Sequence, residues 1–214
     1  SILEHYAKAA AVVKKCFPDF TMIDALSDYQ FYESGAVPTP IPATDHIEPF
    51  IENNVPNLWT YYCCGQHKKV ANRFMAFPSA RNRIIGVQLY KFHIKGFLQW
   101  GYNFYNTQLS IKPIDPFRVT DAGNAFPSGD AFVVYPGENG EALASLRLKV
   151  FYEALCDRRA LILLESLVGR DKVMELLEEG IAPITFKEYP RGEDWLLSKR
   201  AQINAAIEEA VSAK

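Results

Sequence analysis

Gly96-Phe-Leu-Gln-Trp-Gly-Tyr-Asn-Phe-Tyr105 is an apolar run that reads straight into a cluster of aromatic rings carrying polar handles. Gly96 and Gly101 mark where backbone enters and leaves a short strand. A hydrophobic core needs apolar side chains, but it does not need Trp100, Tyr102, Asn103 and Tyr105 crowded beyond a strand's end. The stretch predicts a buried strand that delivers a flat, hydrogen-bonding surface into a pocket.

Upstream of it, Asn57-Leu-Trp-Thr-Tyr-Tyr-Cys-Cys64 is rich in the aromatic residues that pleated sheets favour. Leu58, Thr60, Tyr62 and Cys64 face one way, and Trp59, Tyr61 and Cys63 the other. Pro78, well placed in a first helical turn, opens a helix to about His93 that connects this strand to the next. Prolines at 38, 40 and 42 make the stretch from Gly35 to Asp45 an extended loop, and Asp45 is expected to cap a short helix through Phe50. Phe20-Thr-Met-Ile-Asp-Ala-Leu26 is a strand-length run with Asp24, Ser27 and Asp28 at its C-terminal end. Before it, Leu3, Tyr6, Ala10, Val13 and Phe17 follow the three- and four-residue period of an amphipathic helix, which Pro18 ends. Strand–loop–helix units in series imply an α/β protein with parallel strands and crossover helices, whose strand ends are where such folds keep their sites.

Downstream, 101–130 has no period, and a stretch of that length predicts an ordered lid or rim. Ala131-Phe-Val-Val-Tyr135 predicts a fourth strand, closed by the turn at Pro136-Gly-Glu-Asn-Gly140. Ser145 caps a long helix through Val168, and Gly169 stops it. A helix over Asp171 to Glu179 follows, then a short edge strand or extended arm at Ile184 to Tyr189, then a last helix from about Glu193 to Ala213.

The 214 residues are 49% hydrophobic and 13% aromatic, enough for a sizeable core. A net charge of −2 offers no global field to recruit nucleic acid or an anionic membrane. No apolar run approaches the roughly 20 residues that span a bilayer, and the N-terminus lacks a leader's order of residues. Ser1-Ile-Leu-Glu4 reads as a capping box, so the chain is expected to be cut from something longer. Cys16, Cys63, Cys64 and Cys156 have no metal or redox spacing. They read as buried thiols, which leaves the compartment open while leaning toward a reducing, cytoplasmic one.

His5, His46, His67 and His93 are scattered without ligand spacing, and neither a nucleophile elbow, a P-loop nor a dinucleotide fingerprint is present. No metal and no cofactor is therefore expected. Aromatic rings with polar tips suit sugars, whose C–H faces stack on rings while their hydroxyls seek short polar side chains. Trp100, Asn103, Tyr102 and Tyr105, with Tyr61 and Tyr62 from the preceding strand and Asp24 from the first, are the expected carbohydrate-binding residues. The alternative is that these rings fill an aromatic core. Glycosidases also need carboxyl groups, and Asp24, Asp28, Glu33, Asp45, Asp121 and Asp130 lie in loops without forming a recognisable acid/base pair.

Tyr61-Tyr62-Cys63-Cys64, Asn72-Arg73-Phe74, Gly96-Phe-Leu-Gln-Trp100, Gly129-Asp130, Val134-Tyr-Pro-Gly137 and Ser145-Leu-Arg147 resemble, in order and spacing, the C-terminal half of the glycoside hydrolase 123-like catalytic domain. The resemblance runs from about residue 20 to 168. It implies a (β/α)8 barrel and, in characterised relatives, a bacterial-type β-N-acetylgalactosaminidase activity. There the substrate's own 2-acetamido oxygen attacks the anomeric carbon, and an adjacent Asp-Glu pair orients that group and protonates the leaving oxygen. This chain contains no Asp-Glu pair; Glu193-Asp194 is reversed and opens the last helix. Four strands, against the eight of a closed barrel, predict a partial, half TIM-type barrel over 1–168 with a C-terminal helical extension over 169–214. Such a half is expected to self-associate or to belong with an absent N-terminal half that carries the acids.

Overall fold

A computed structural model describes residues 1–213. The Ser1 hydroxyl accepts from the Glu4 N–H and the Glu4 carboxylate reaches back to the N-terminal amine, so the capping box opens helix α1 (Ile2–Cys16) as the sequence predicts. No residue of α1 is buried. Its main tie to the rest is Tyr6, whose hydroxyl donates to Asp24 and whose ring meets Phe31 edge-on at 5.3 Å.

Four parallel segments follow. β1 (Ile23–Asp24) pairs with β2 (Thr39–Pro40), and β3 (Trp59–Tyr62) pairs with β4 (Gly96–Gln99), with Trp59 opposite Gly96 and Tyr62 opposite Gln99. The two pairs are joined through a parallel bridge between Ala43 and Tyr61, where Thr44 N–H donates to the Tyr61 carbonyl and Tyr61 N–H to the Pro42 carbonyl. β1 and β2 are only two residues each because Pro40 and Pro42 remove ladder donors. Short helices α2 (Tyr29–Glu33) and α3 (Glu48–Glu52), then α4 (Ala80–Arg83) and α5 (Ile85–Lys91), make the crossovers. The helix expected from Pro78 to His93 is thus two consecutive pieces that meet at Ile84.

The expected fourth parallel strand is different. Phe132 bridges Asn103 antiparallel, and β5 (Val134–Pro136) forms an antiparallel hairpin with β6 (Ala142–Ala144). The chain after β4 turns back on itself at Gly101, so residues 102–104 meet 131–133 running the opposite way. The described residues form an α/β fold with small parallel sheets and no closed barrel. The segment Ile184 to Tyr189 is neither a strand nor an extended arm: Phe186 to Tyr189 bend back, with the Lys187 and Glu188 N–H groups donating to Thr185 Oγ1 and the Thr185 N–H to the Glu188 carbonyl.

One face of the strands is covered. Thr60 and Tyr62 are buried, and Phe97 packs on Tyr62 at 4.8 Å and on Phe151 at 5.2 Å. Phe151 belongs to α6 (Leu146–Val168), capped by Ser145 and ended at Gly169 with φ +86. α5 and α6 cross at Gly86, where a Cβ would lie 1.9 Å from the Ala154 carbonyl oxygen, so only glycine permits the approach. α7 (Arg170–Glu178) and α8 (Glu193–Ser212) complete the layer, adding Val173, Leu177, Leu196 and Ile203 to the same core as Leu161 and Leu164. Asp157, nearly buried, accepts from Arg83 of α4 at 2.7 and 2.9 Å and from Arg200 of α8 at 2.6 Å. The opposite face, with Trp59, Tyr61 and Leu98, is only half-buried.

Candidate functional site

Parallel strands put all their C-terminal ends on one edge. That edge carries Asp24, the last residue of β1, and Ser27 after it, Asp45 and His46 after β2, Cys63 and Cys64 after β3, and Trp100 after β4. His46 follows β2 and Trp100 follows β4, so they stand two strands apart along this edge.

Trp100 is half-buried. Its ring lies 5.9 Å from Phe104 and 5.4 Å, edge-on, from Phe126, so the 101–130 segment folds its own aromatic residues against it. The rim is held by a buried arginine. Arg73 is 2% exposed; its Nη2 donates to the carbonyls of Trp100 at 2.7 Å and Asp130 at 2.6 Å, tying together the two ends of the segment. Arg147 donates to the carbonyls of Gly129 and Phe132, both at 2.6 Å. Gly101, with φ +66, must be glycine, because a Cβ would stand 2.2 Å from the Asp130 carbonyl oxygen.

Asp130 is fully buried, with Oδ1 3.0 Å from Arg73 Nη1, a charge contact whose alignment leaves both carboxylate oxygens without a hydrogen-bonded partner. Burial pushes its carboxyl up to about 6, and the Arg73 charge opposes only part of that rise. The Cys64 thiol beside it is pushed up to about 11, first by burial and then by Cys63 and Asp130. A thiol held that high is not poised as a nucleophile.

The structure divides the expected sugar-binding residues. Trp100, Tyr102, Asn103 and Tyr105 lie together where the rim begins: Tyr102 and Asn103 are exposed, Tyr105 is half-buried and its hydroxyl donates to the Val134 carbonyl at 2.8 Å. Tyr61 lies on the half-buried face. Its hydroxyl pKa is raised chiefly by burial, with Ser27 pulling it down and Cys63 and Asp45 adding to the rise. Tyr62 is instead a core residue, 0% exposed, and its hydroxyl donates to Asn82 at 2.9 Å. Asp24 is half-buried and engaged by Tyr6.

The sequence reading missed one cluster. Asp45 does not cap α3, whose N-cap is Ile47 without a side-chain bond. Its Oδ1 accepts from His46 Nδ1 at 2.7 Å and from Gln66 Nε2 at 2.9 Å. Gln66, itself buried, accepts at Oε1 from the Cys63 backbone N–H at 3.0 Å and from its thiol at 3.3 Å. Because a carboxylate only accepts, His46 carries a hydrogen on Nδ1, and in the neutral imidazole Nε2 is then an open acceptor. The adjacent Asp-His pair was visible in the sequence; the glutamine that orients it, 21 residues away, was not. Among the described residues no three His, Cys, Asp or Glu side chains converge as a metal site, and no helix is long and apolar enough to cross a membrane.

No curated protein matches the chain. The sequence profile of the glycoside hydrolase 123 catalytic domain matches residues 2–164, from α1 through nearly all of α6. This span takes in every strand and the whole C-terminal edge, and the chain belongs to the glycoside hydrolase 123 catalytic-domain family.

Proposed function

We propose that the chain is the C-terminal half of a (β/α)8 glycoside hydrolase barrel acting on N-acetyl-β-hexosaminides of the N-acetylgalactosaminide type. Hydrolysis is substrate-assisted: the 2-acetamido oxygen attacks the anomeric carbon, and an Asp-Glu pair from residues preceding this chain orients it and protonates the leaving oxygen. The family match over residues 2–164 carries the proposal. Support comes from the half-buried Trp59, Tyr61 and Leu98 on the uncovered strand face, and from Phe17, Phe20 and Ile23 exposed beside the unpaired edge of β1. An N-terminal half would cover both. In this reading Trp100 stacks on the sugar's apolar face, Tyr102, Asn103 and Tyr105 line the rim, Tyr61 and Asp24 line the strand ends, and Arg73 fixes the rim's position.

A second reading is a carbohydrate-binding protein without cleavage. One observation favours it: the carboxylates at the strand ends, Asp24 and Asp45, are each held by a neighbouring side chain, and no free acidic pair stands there. Assays on an aryl N-acetyl-β-galactosaminide separate the two. Activity only in a chain extended upstream supports the hydrolase; none in either form, with sugar binding retained, supports the binder. Sedimentation of the 214-residue chain tests the half-barrel, which is expected to self-associate; a stable compact monomer would count against it.

A further inference from the structure

We infer that His46 is a sugar-contacting residue whose Nε2 accepts a hydrogen bond from a free hydroxyl of the glycan, with Asp45 and Gln66 positioning the imidazole. The inference rests on the proposed sugar site and adds to it the residue that selects among hydroxyl positions.

Three hydrogen bonds in series hold the ring. The backbone N–H of Cys63, at the end of β3, donates to Gln66 Oε1; Gln66 Nε2 donates to Asp45 Oδ1; and His46 Nδ1–H donates to that same oxygen. Gln66 is 6% exposed and its backbone carbonyl accepts from the Asn72 amide at 2.8 Å, so the base of the chain is fixed. Asn72 in turn accepts at Oδ1 from Arg73 Nη1 at 3.0 Å, which links the imidazole to the arginine that holds the Trp100 rim. A carboxylate behind Nδ1 fixes both tautomer and ring orientation, an arrangement proteins use when the other nitrogen has work to do.

The exposure of the parts agrees. Asp45's side chain is 28% exposed whereas that of His46 is 59% exposed, so the outer nitrogen is open to a ligand while its support is sheltered. A surface histidine with no task has no need of a glutamine brought from the next strand end to orient its partner. His46 also follows β2 on the edge where Trp100 follows β4, two strands along, an arrangement in which one bound glycan can meet both the stacking platform and the hydroxyl acceptor.

An unprotonated Nε2 is an acceptor only, so it rewards a hydroxyl and leaves a methyl ether at that position without a partner. The test uses N-acetyl-D-galactosamine and its 3-, 4- and 6-O-methyl ethers, titrated into the full 214-residue chain, with the imidazole nitrogens of His46 and the indole N–H of Trp100 followed by NMR. Expected are an Nδ1–H tautomer in the free protein, movement of both signals with the sugar, and at least tenfold weaker binding for one of the ethers. His46→Ala should lose at least tenfold in affinity and the discrimination against that ether; His46→Gln, whose carbonyl still accepts, should recover part of both. Asp45→Asn should shift the tautomer population without unfolding the chain. Trp100 responding while His46 stays silent and His46→Ala binds normally would overturn the inference and keep the sugar site. Neither signal moving would overturn both, and an Nε2–H tautomer in the free protein would overturn the inference by itself. His46 responding without Trp100 would uphold the inference and remove Trp100 from the site.

Discussion

Arg73 donates through Nη2 to the carbonyl of Trp100 at 2.7 Å, so a side chain from the loop after β3 terminates β4. The same nitrogen reaches the Asp130 carbonyl, and the guanidinium lies 4.8 Å over the Tyr62 ring. Three backbone segments distant in sequence therefore share one buried cation. Replacing Arg73 by Ala strands the Asp130 carboxylate and carbonyl, leaves the Trp100 carbonyl with Gln99 Nε2 alone, and is expected to cost about 3–5 kcal/mol. Urea unfolding monitored by circular dichroism measures it; a loss under 1 kcal/mol would mean that the rim is held by its aromatic contacts instead.

Asp130 sets an acid-side dependence of stability. Its folded-state pKa is raised to about 6, so between pH 6 and about 4 the native protein holds a proton that the unfolded chain has released. The stabilising contribution is therefore complete below about pH 4 and lost as pH rises through 6, on the order of 2–3 kcal/mol. Asp130→Asn should flatten that part of the stability profile, and because burial outweighs the Arg73 attraction it should cost less at pH 7 than Arg73→Ala. An unchanged slope in the variant would assign the dependence to another group.

Gly101→Ala places a methyl group 2.2 Å from the Asp130 carbonyl oxygen and demands a left-handed alanine. Strain at φ +66 alone costs roughly 1–3 kcal/mol. The expected outcome is a destabilised chain in which the Trp100 indole signal shifts, because residues 102–104 can no longer run against 131–133.

Trp100→Ala should weaken binding of N-acetyl-D-galactosamine by tenfold or more while leaving the chain folded, since the ring is half-buried against Phe104 and Phe126 rather than enclosed. Tyr62→Phe is the complementary control: it removes one buried hydroxyl bonded to Asn82, costs about 1 kcal/mol, and should leave sugar affinity unchanged. Calorimetric titration of both variants decides, and unfolding by Trp100→Ala would make the ring a core element.

Local chemistry made the helices readable. Ser1 with Glu4 and Ser145 with Gly169 are start and stop signals that act within one turn, so α1 and α6 have the expected bounds. The runs of β3 and β4 and their parallel direction were readable, whereas β2 fell in the proline-rich stretch read as a loop, β6 gave no signal, and the direction of residues 131–133 was not readable. Residues 131–133 look like any buried strand; only the reversal at Gly101 and the Arg73 clasp, contacts between positions far apart in sequence, turn them antiparallel. For the site the same limit applies. Trp100, Tyr102, Asn103 and Tyr105 are neighbours in the chain and remain neighbours in space, whereas Tyr62 went to the core because strand faces alternate. His46 gained its role only through Gln66.

The carboxylate of Asp157 between Arg83 and Arg200 has a consequence for how the molecule opens. One acid joins helices whose anchoring residues lie 74 and 43 positions away from it. If α8 lifts, Arg200 leaves a nearly buried anion with half its counter-charge, so α4 and α6 are loosened in the same event. Amides of Leu161 and Ile203 should then exchange with solvent deuterium at one common rate, as a single cooperative unit. The exposed turns of α1, held mainly through Tyr6, should exchange orders of magnitude sooner.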